Sequence, residues 1–226
     1  MNTEEHKAIF KNDFFRIIQE QSFIRKQMIG KGIDAIYYAP KVEGWEEIKD
    51  KEVIHVPMGF LTIQLSDTTF YKLNTDYQSW CGGIFGIQIE RIQAKEFFEN
   101  KYVQDENNLN VNKNWQAIAG QRIRNIKWYW KTDSNEVLDG TVLNDEDALE
   151  FLFEDLFLPE SIVFTFENNK KVYFSAFAPD SDYKLITGAE EIMIFFDEAK
   201  LLQWGIASKG FEIEQKSKTP HNKVQP

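Results

Sequence analysis

The sequence is poor in the residues on which most recognisable active sites are built. It has one cysteine, Cys81. An intramolecular disulfide and a cysteine-built metal cluster are therefore excluded, and the chain suits a reducing compartment. Of three histidines, His6 and His221 lie near the ends of the chain. No His-x-x-x-His spacing accompanies the third, so a zinc site has no framework. His55 reads as a structural or surface residue beside a strand. A Gly-rich phosphate loop, a nucleophile elbow and a dinucleotide fingerprint are missing. No apolar run approaches the roughly 18 residues that a membrane-spanning helix needs. The first six residues carry Glu4 and Glu5 in place of an apolar signal core, which points to a cytoplasmic protein. Cations are also scarce, 26 Lys and Arg against 36 Asp and Glu, for a net charge of −10. That balance argues against nucleic acid as a partner, because phosphate contacts need clustered Lys and Arg.

What the sequence has is apolar and aromatic content sufficient for a real core, 42% and 15% of residues. The spacing predicts a helix over residues 4–29, with Phe14, Ile17, Ile18, Gln21, Ile24 and Met28 on one face and Gly30 as its stop. Beyond it the chain reads twice. Gly30, Ile33, Ile36 and Tyr38 recur 90 residues later as Gly120, Ile123, Ile126 and Trp128. Leu61, Ile63, Leu65, Tyr71 and Leu73, which alternate as a β-hairpin around residues 66–69, recur 101 residues later as Ile162, Phe164, Phe166, Val172 and Phe174. Gly83, Ile87, Ile89, Ala94 and Lys95 recur at an offset of 105 as Gly188, Ile192, Ile194, Ala199 and Lys200. On this reading the offset changes only in loops, and the loop at 180–187 is the longer of its pair. The expected fold is α+β: two tandem, duplicated units, each of about four antiparallel strands with a flanking helix. The units span 1–104 and 105–207, and a flexible tail follows at 208–226.

The two units differ in charge. Residues 1–104 carry a net −2, residues 105–207 a net −10 and the tail +2. Residues 144–159 read as a helix without a counterpart in the first unit, with Asn144 as N-cap and Pro159 at its end. Leu149, Leu152, Phe153 and Leu156 line one face, and Glu146, Glu150 and Glu154 another. That stripe is either a solvated face or a ridge for a cationic partner. Cys81, matched by Ile186 at the same offset as Gly83, reads as a buried apolar residue rather than a nucleophile. Asp180 and Asp182 flank Ser181 in a loop too short to specify calcium. Asp197 and Glu198 form one of several chance carboxylate pairs. The run from Lys127 to Lys131, with Trp128, Tyr129 and Trp130, fits strand packing better than base stacking. Catalytic, cofactor and metal residues are therefore not expected.

The motif Gly-x-x-Ile-x-x-Ile-x-Tyr/Trp, a hairpin and a Gly-led strand, repeated over most of residues 28–207, resembles the small acidic immunity proteins that bacteria keep against polymorphic or contact-delivered toxins. The resemblance implies a cytoplasmic, non-catalytic protein that occludes a basic toxin domain, typically a nuclease. Glu146, Glu150, Glu154, Asp155, Asp180, Asp182, Glu190 and Glu191 are the residues expected to meet that partner. Two alternatives stay open: a small-ligand protein or enzyme with a pocket between the units, and an assembly module pairing through strand edges.

Overall fold

A computed structural model describes residues 3–38, 54–55, 57, 60–78, 84–99, 113–131, 137–139, 158–179 and 185–203. The first unit opens with helix α1, Thr3–Met28. Its last turn carries Arg25 and Lys26, which suit the negative end of the helix dipole. Gln21, Ile24 and Met28 are buried at three- and four-residue spacing. Gly30, at φ +84°, then turns the chain out of the helix, a conformation that costs glycine nothing. Strands β1 (Ile33–Tyr38), β2 (Ile54–His55), β3 (Phe60–Leu65), β4 (Phe70–Gln78) and β5 (Ile84–Ile92) follow, then helix α2, Ala94–Glu99. The second unit holds the short helix α3 (Lys113–Gln116), β6 (Ile123–Lys131), β7 (Val137–Asp139), β8 (Leu158–Phe166), β9 (Lys171–Pro179) and β10 (Leu185–Phe195), and ends in helix α4, Glu198–Gln203.

One antiparallel sheet has the order β1-β3-β4-β5, and the other β2-β10-β9-β8-β6-β7. Within the larger sheet, β6-β8-β9-β10 repeats the order of the first, so the α+β fold and the duplication are both present. The repeat extends to irregularities. A bulge lies between Ile33 and Ala35 in β1, and another between Ile123 and Asn125 in β6. This extra residue explains why the core positions of each first strand are spaced three and then two apart. The hairpin turns share their backbone hydrogen bonds, Leu65 N to Thr69 O and Phe166 N to Lys170 O, each at 2.9 Å. Thr68 and Asn169, 101 residues apart, sit at φ 64° and 63°. Asp67 Oδ1 accepts from Thr69 N at 3.2 Å, and Asn168 Oδ1 from Lys170 N at 3.0 Å, the side-chain-to-backbone bond that favours Asp and Asn in turns.

The two sheets share one core. Ile36, Leu61, Ile63, Leu73 and Ile87 of the first unit and Ile126, Ile162, Phe164, Phe174 and Ile192 of the second are all fully buried in a single cluster. Gly32 and Arg122, 90 residues apart, form an antiparallel bridge with each other. Beside it, Gly30 N donates to Ile123 O and Ile123 N to Lys31 O, each at 2.8 Å. An antiparallel pair of equivalent residues is exchanged by a half-turn, so a local pseudo-two-fold axis passes between the units here.

Two features depart from the duplication. β2 belongs by sequence to the first unit, yet it pairs with the second sheet, Ile54 with Phe195 and His55 with Ile194. The other departure is in β10. Five residues separate β4 from β5, and five separate β9 from β10. Pro179 pairs with Leu185 as Gln78 pairs with Ile84, so the offset of 101 persists through the loop. It becomes 105 only because Gly188, Ala189, Glu190 and Glu191 are inserted in the register with β9, between Thr187, opposite Phe177, and Ile192, opposite Ala176. The extra residues are a strand bulge, not a longer loop. Thr187 is thus the counterpart of Gly86.

Candidate functional site

The acidic positions expected at a partner surface are only partly within view. Glu146, Glu150, Glu154, Asp155, Asp180 and Asp182 lie outside the described residues, as do Cys81, most of the expected helix at 144–159 and the tail at 208–226. Pro159 belongs to β8, where it pairs with Trp130. Glu190 and Glu191 fall in the β10 bulge. Among the described residues of the second unit, Lys and Arg number eight and Asp and Glu seven. The acidic excess of that unit is therefore carried by the segments outside them.

The outer face of the second sheet holds a mixed cluster. Buried Tyr173 donates to the Glu198 carboxylate, and its hydroxyl is held un-ionised by burial and by the charges of Glu198 and Asp197. Burial pulls the Lys171 ammonium below its usual range; Glu198 opposes the shift, while Lys127 and Arg124 add to it. Asp197 has a structural task, because its Oδ1 accepts from Ala199 N at 2.8 Å and caps α4.

The most constrained polar group in the interior was not legible as a site. Tyr38 ends β1, His55 lies on β2 and Trp115 on α3, and all three are buried. The Trp115 indole Nε1 donates to the Tyr38 hydroxyl at 2.6 Å. Tyr38 O and His55 Nδ1 are 2.5 Å apart. Trp has only a donor to give, so the Tyr38 oxygen accepts from it and its own proton points at His55. Nδ1 is then the acceptor, and the imidazole proton sits on Nε2. Burial agrees with this assignment. It lowers the His55 pKa to about 4, and it drives the Tyr38 pKa far above the usual phenol range, with the bond from Trp115 opposing. Phe196 packs edge-on against both His55 and Trp115, with centroids 4.9 and 4.8 Å away.

The relay therefore holds neutral groups at neutral pH. It fastens β2 to the second sheet through side chains from both units, and its chemistry is that of a clasp. The sequence marks Tyr38 through its equivalence to Trp128, an aromatic with a polar tip on each core strand, but nothing in it ties either to His55 or Trp115. Among the described residues, no group of three or more His, Cys, Asp or Glu side chains is arranged to hold a metal ion, and no helix is long and apolar enough to cross a membrane. No family model, curated protein or solved structure matches this chain.

Proposed function

We propose that this chain is a non-catalytic, cytoplasmic binding protein of the immunity type, which neutralises a basic toxin domain by covering it. One observation carries the reading. Two stretches distinguish the second unit from the first, and both are acidic. The offset grows from 90 to 101 between β6 and β8, and that connection holds Asp145, Glu146, Asp147, Glu150, Glu154 and Asp155. It grows again from 101 to 105 at the β10 bulge, which holds Glu190 and Glu191.

Residues added to a duplicated scaffold are free of its packing constraints, so their charge is available for recognition. A concentrated negative field speeds encounter with a basic surface and confers salt sensitivity on the association. The shared core favours this reading over a pocket between the units, because Ile36, Leu61, Ile87, Ile126, Phe164 and Ile192 fill that interior with fully buried apolar side chains.

The test is a partner captured from native cells with the wild-type chain, followed by binding measurements on the triple variant Glu146→Lys, Glu150→Lys and Glu154→Lys. Affinity is expected to fall by about tenfold or more, with a shallower salt dependence of the association rate. An unchanged affinity would remove the electrostatic basis of the proposal.

A further inference from the structure

The two units close the same strand edge in different ways. In the second unit, Ile194 of β10 is covered by main chain, through its pairing with His55 of β2. The equivalent residue of the first unit is Ile89 of β5. Its outward N–H and C=O are met by a side chain: Gln21 Nε2 donates to Ile89 O at 2.9 Å, and Ile89 N donates to Gln21 Oε1 at 3.0 Å. A primary amide carries the donor and acceptor of one peptide unit, so Gln21 stands where a neighbouring strand would place its backbone. Among the described residues no strand lies beyond β5.

The polar surroundings of His55 have counterparts too. At the 90-residue offset Tyr38 corresponds to Trp128, and Trp115 to Arg25. Tyr38 reaches the strand docked at β10 directly, at His55 Nδ1, and Trp115 donates to the Tyr38 hydroxyl behind it. Trp128 is 1% exposed, yet its Nε1 has no hydrogen-bond partner, and neither has the buried Nε of Arg25. The Arg25 guanidinium is already anchored, since its Nη2 donates to Asn125 Oδ1 at 3.1 Å. Arg25 lies one turn from Gln21 on the same face of α1. Trp128 thus lacks the acceptor that the docked strand gives Tyr38, Arg25 Nε lacks one as well, and buried donors of this kind call for a ligand group.

We propose that the outer edge of β5, with Arg25 and Trp128, is a docking site for an extended peptide strand of a partner protein that carries an Asp or Glu side chain. The strand pairs with β5 at Ile89 in place of the Gln21 amide. Its carboxylate occupies the position that His55 holds at β10 and accepts from Arg25 Nε and Trp128 Nε1. A carboxylate is selected because both groups are donors and one is cationic. The site is formed by β5 and α1 of the first unit with Trp128 of the second, and it does not rest on the acidic insertions.

The probe is a labelled peptide of residues 50–58 carrying His55→Glu, with the His55→Ala and unaltered peptides as controls, titrated against the full chain by fluorescence anisotropy. The Glu peptide is expected to bind about tenfold tighter than the Ala peptide. Arg25→Leu and Trp128→Phe each shrink that difference to about twofold or less, with Trp128→Phe keeping an aromatic ring, smaller than the indole, and losing the N–H. Gln21→Ala tightens both peptides by unblocking the edge, and thermal melts establish that each variant is folded. Equal binding of the Glu and Ala peptides, or a difference that survives both donor substitutions, would overturn the proposal. So would failure of any peptide to bind Gln21→Ala. Unaltered peptide binding as tightly as the Glu form would mean exchange with β2 at β10, and self-association of Gln21→Ala that the peptide does not reverse would assign the edge to a second copy; either result also overturns it.

Discussion

Acidification should loosen the chain through one side chain. His55 is buried, accepts from Tyr38 at Nδ1, and titrates near 4 because burial disfavours its charged form. In the unfolded chain it titrates near 6.5. Between those values the unfolded state binds more protons than the folded state, so stability falls as pH drops. The contribution is fully present above about pH 6.5 and is lost progressively as pH falls towards 4. A displacement of about 2.5 pH units corresponds to about 3 kcal/mol when complete, a large part of the 5–15 kcal/mol typical of a domain.

The assay is urea denaturation at a series of pH values, with His55→Gln as the reference. Glutamine retains an acceptor for the Tyr38 hydroxyl and does not titrate, so subtracting its curve isolates the histidine. The wild type should lose about 2–3 kcal/mol more than the variant between pH 7 and pH 4. Proton NMR offers a direct check, because the chain has three histidines and one of them should stay neutral at pH 5. Parallel stability curves, or three imidazoles titrating near 6.5, would refute both the tautomer assignment and the buried clasp.

Other outcomes follow from local geometry. Thr68→Gly should stabilise the chain by about 1 kcal/mol, because Thr68 is β-branched at φ 64°, whereas Asn169→Gly should gain less, since Asn tolerates that region and Asn169 Oδ1 also accepts from Arg124 at 2.7 Å; paired thermal melts decide this. Gly30→Ala and Gly120→Ala should each cost about 1 kcal/mol through backbone strain alone, as an added Cβ meets nothing within 4 Å at either position; a much larger loss at one would show that the copies are not locally equivalent. Trp115→Phe should cost about 2–4 kcal/mol in urea denaturation, because it removes the donor to the Tyr38 hydroxyl at 2.6 Å and leaves a cavity where a fully buried indole stood.

The apolar periodicity carried most of the fold. Ile33, Ile36, Tyr38 and their counterparts point inward as the sequence implies, because in each strand one face must be buried and the bulge shifts both copies alike. The destination of β2 was hidden. Two residues, Ile54 and His55, contain too little pattern to announce that they pair with residues about 140 positions away. The location of the four added residues was hidden for a related reason. A glycine and an alanine before Glu190 look like a turn, and only strand register assigns them to a bulge. The relay among Tyr38, His55 and Trp115 depends on three elements distant in sequence, so composition and spacing could not assemble it.

The crossing of β2 also sets a timetable. During synthesis, Gln21 can close the Ile89 edge once 68 further residues have been made. His55 must wait for Ile194, roughly 140 residues later, and at about 5–20 residues per second that interval is roughly 7–28 s. For that time β2 has no edge to pair with and the Tyr38 hydroxyl lacks the imidazole that later accepts its proton. The first unit can therefore close its own sheet early, whereas the clasp between the units is among the last contacts that the growing chain is able to make.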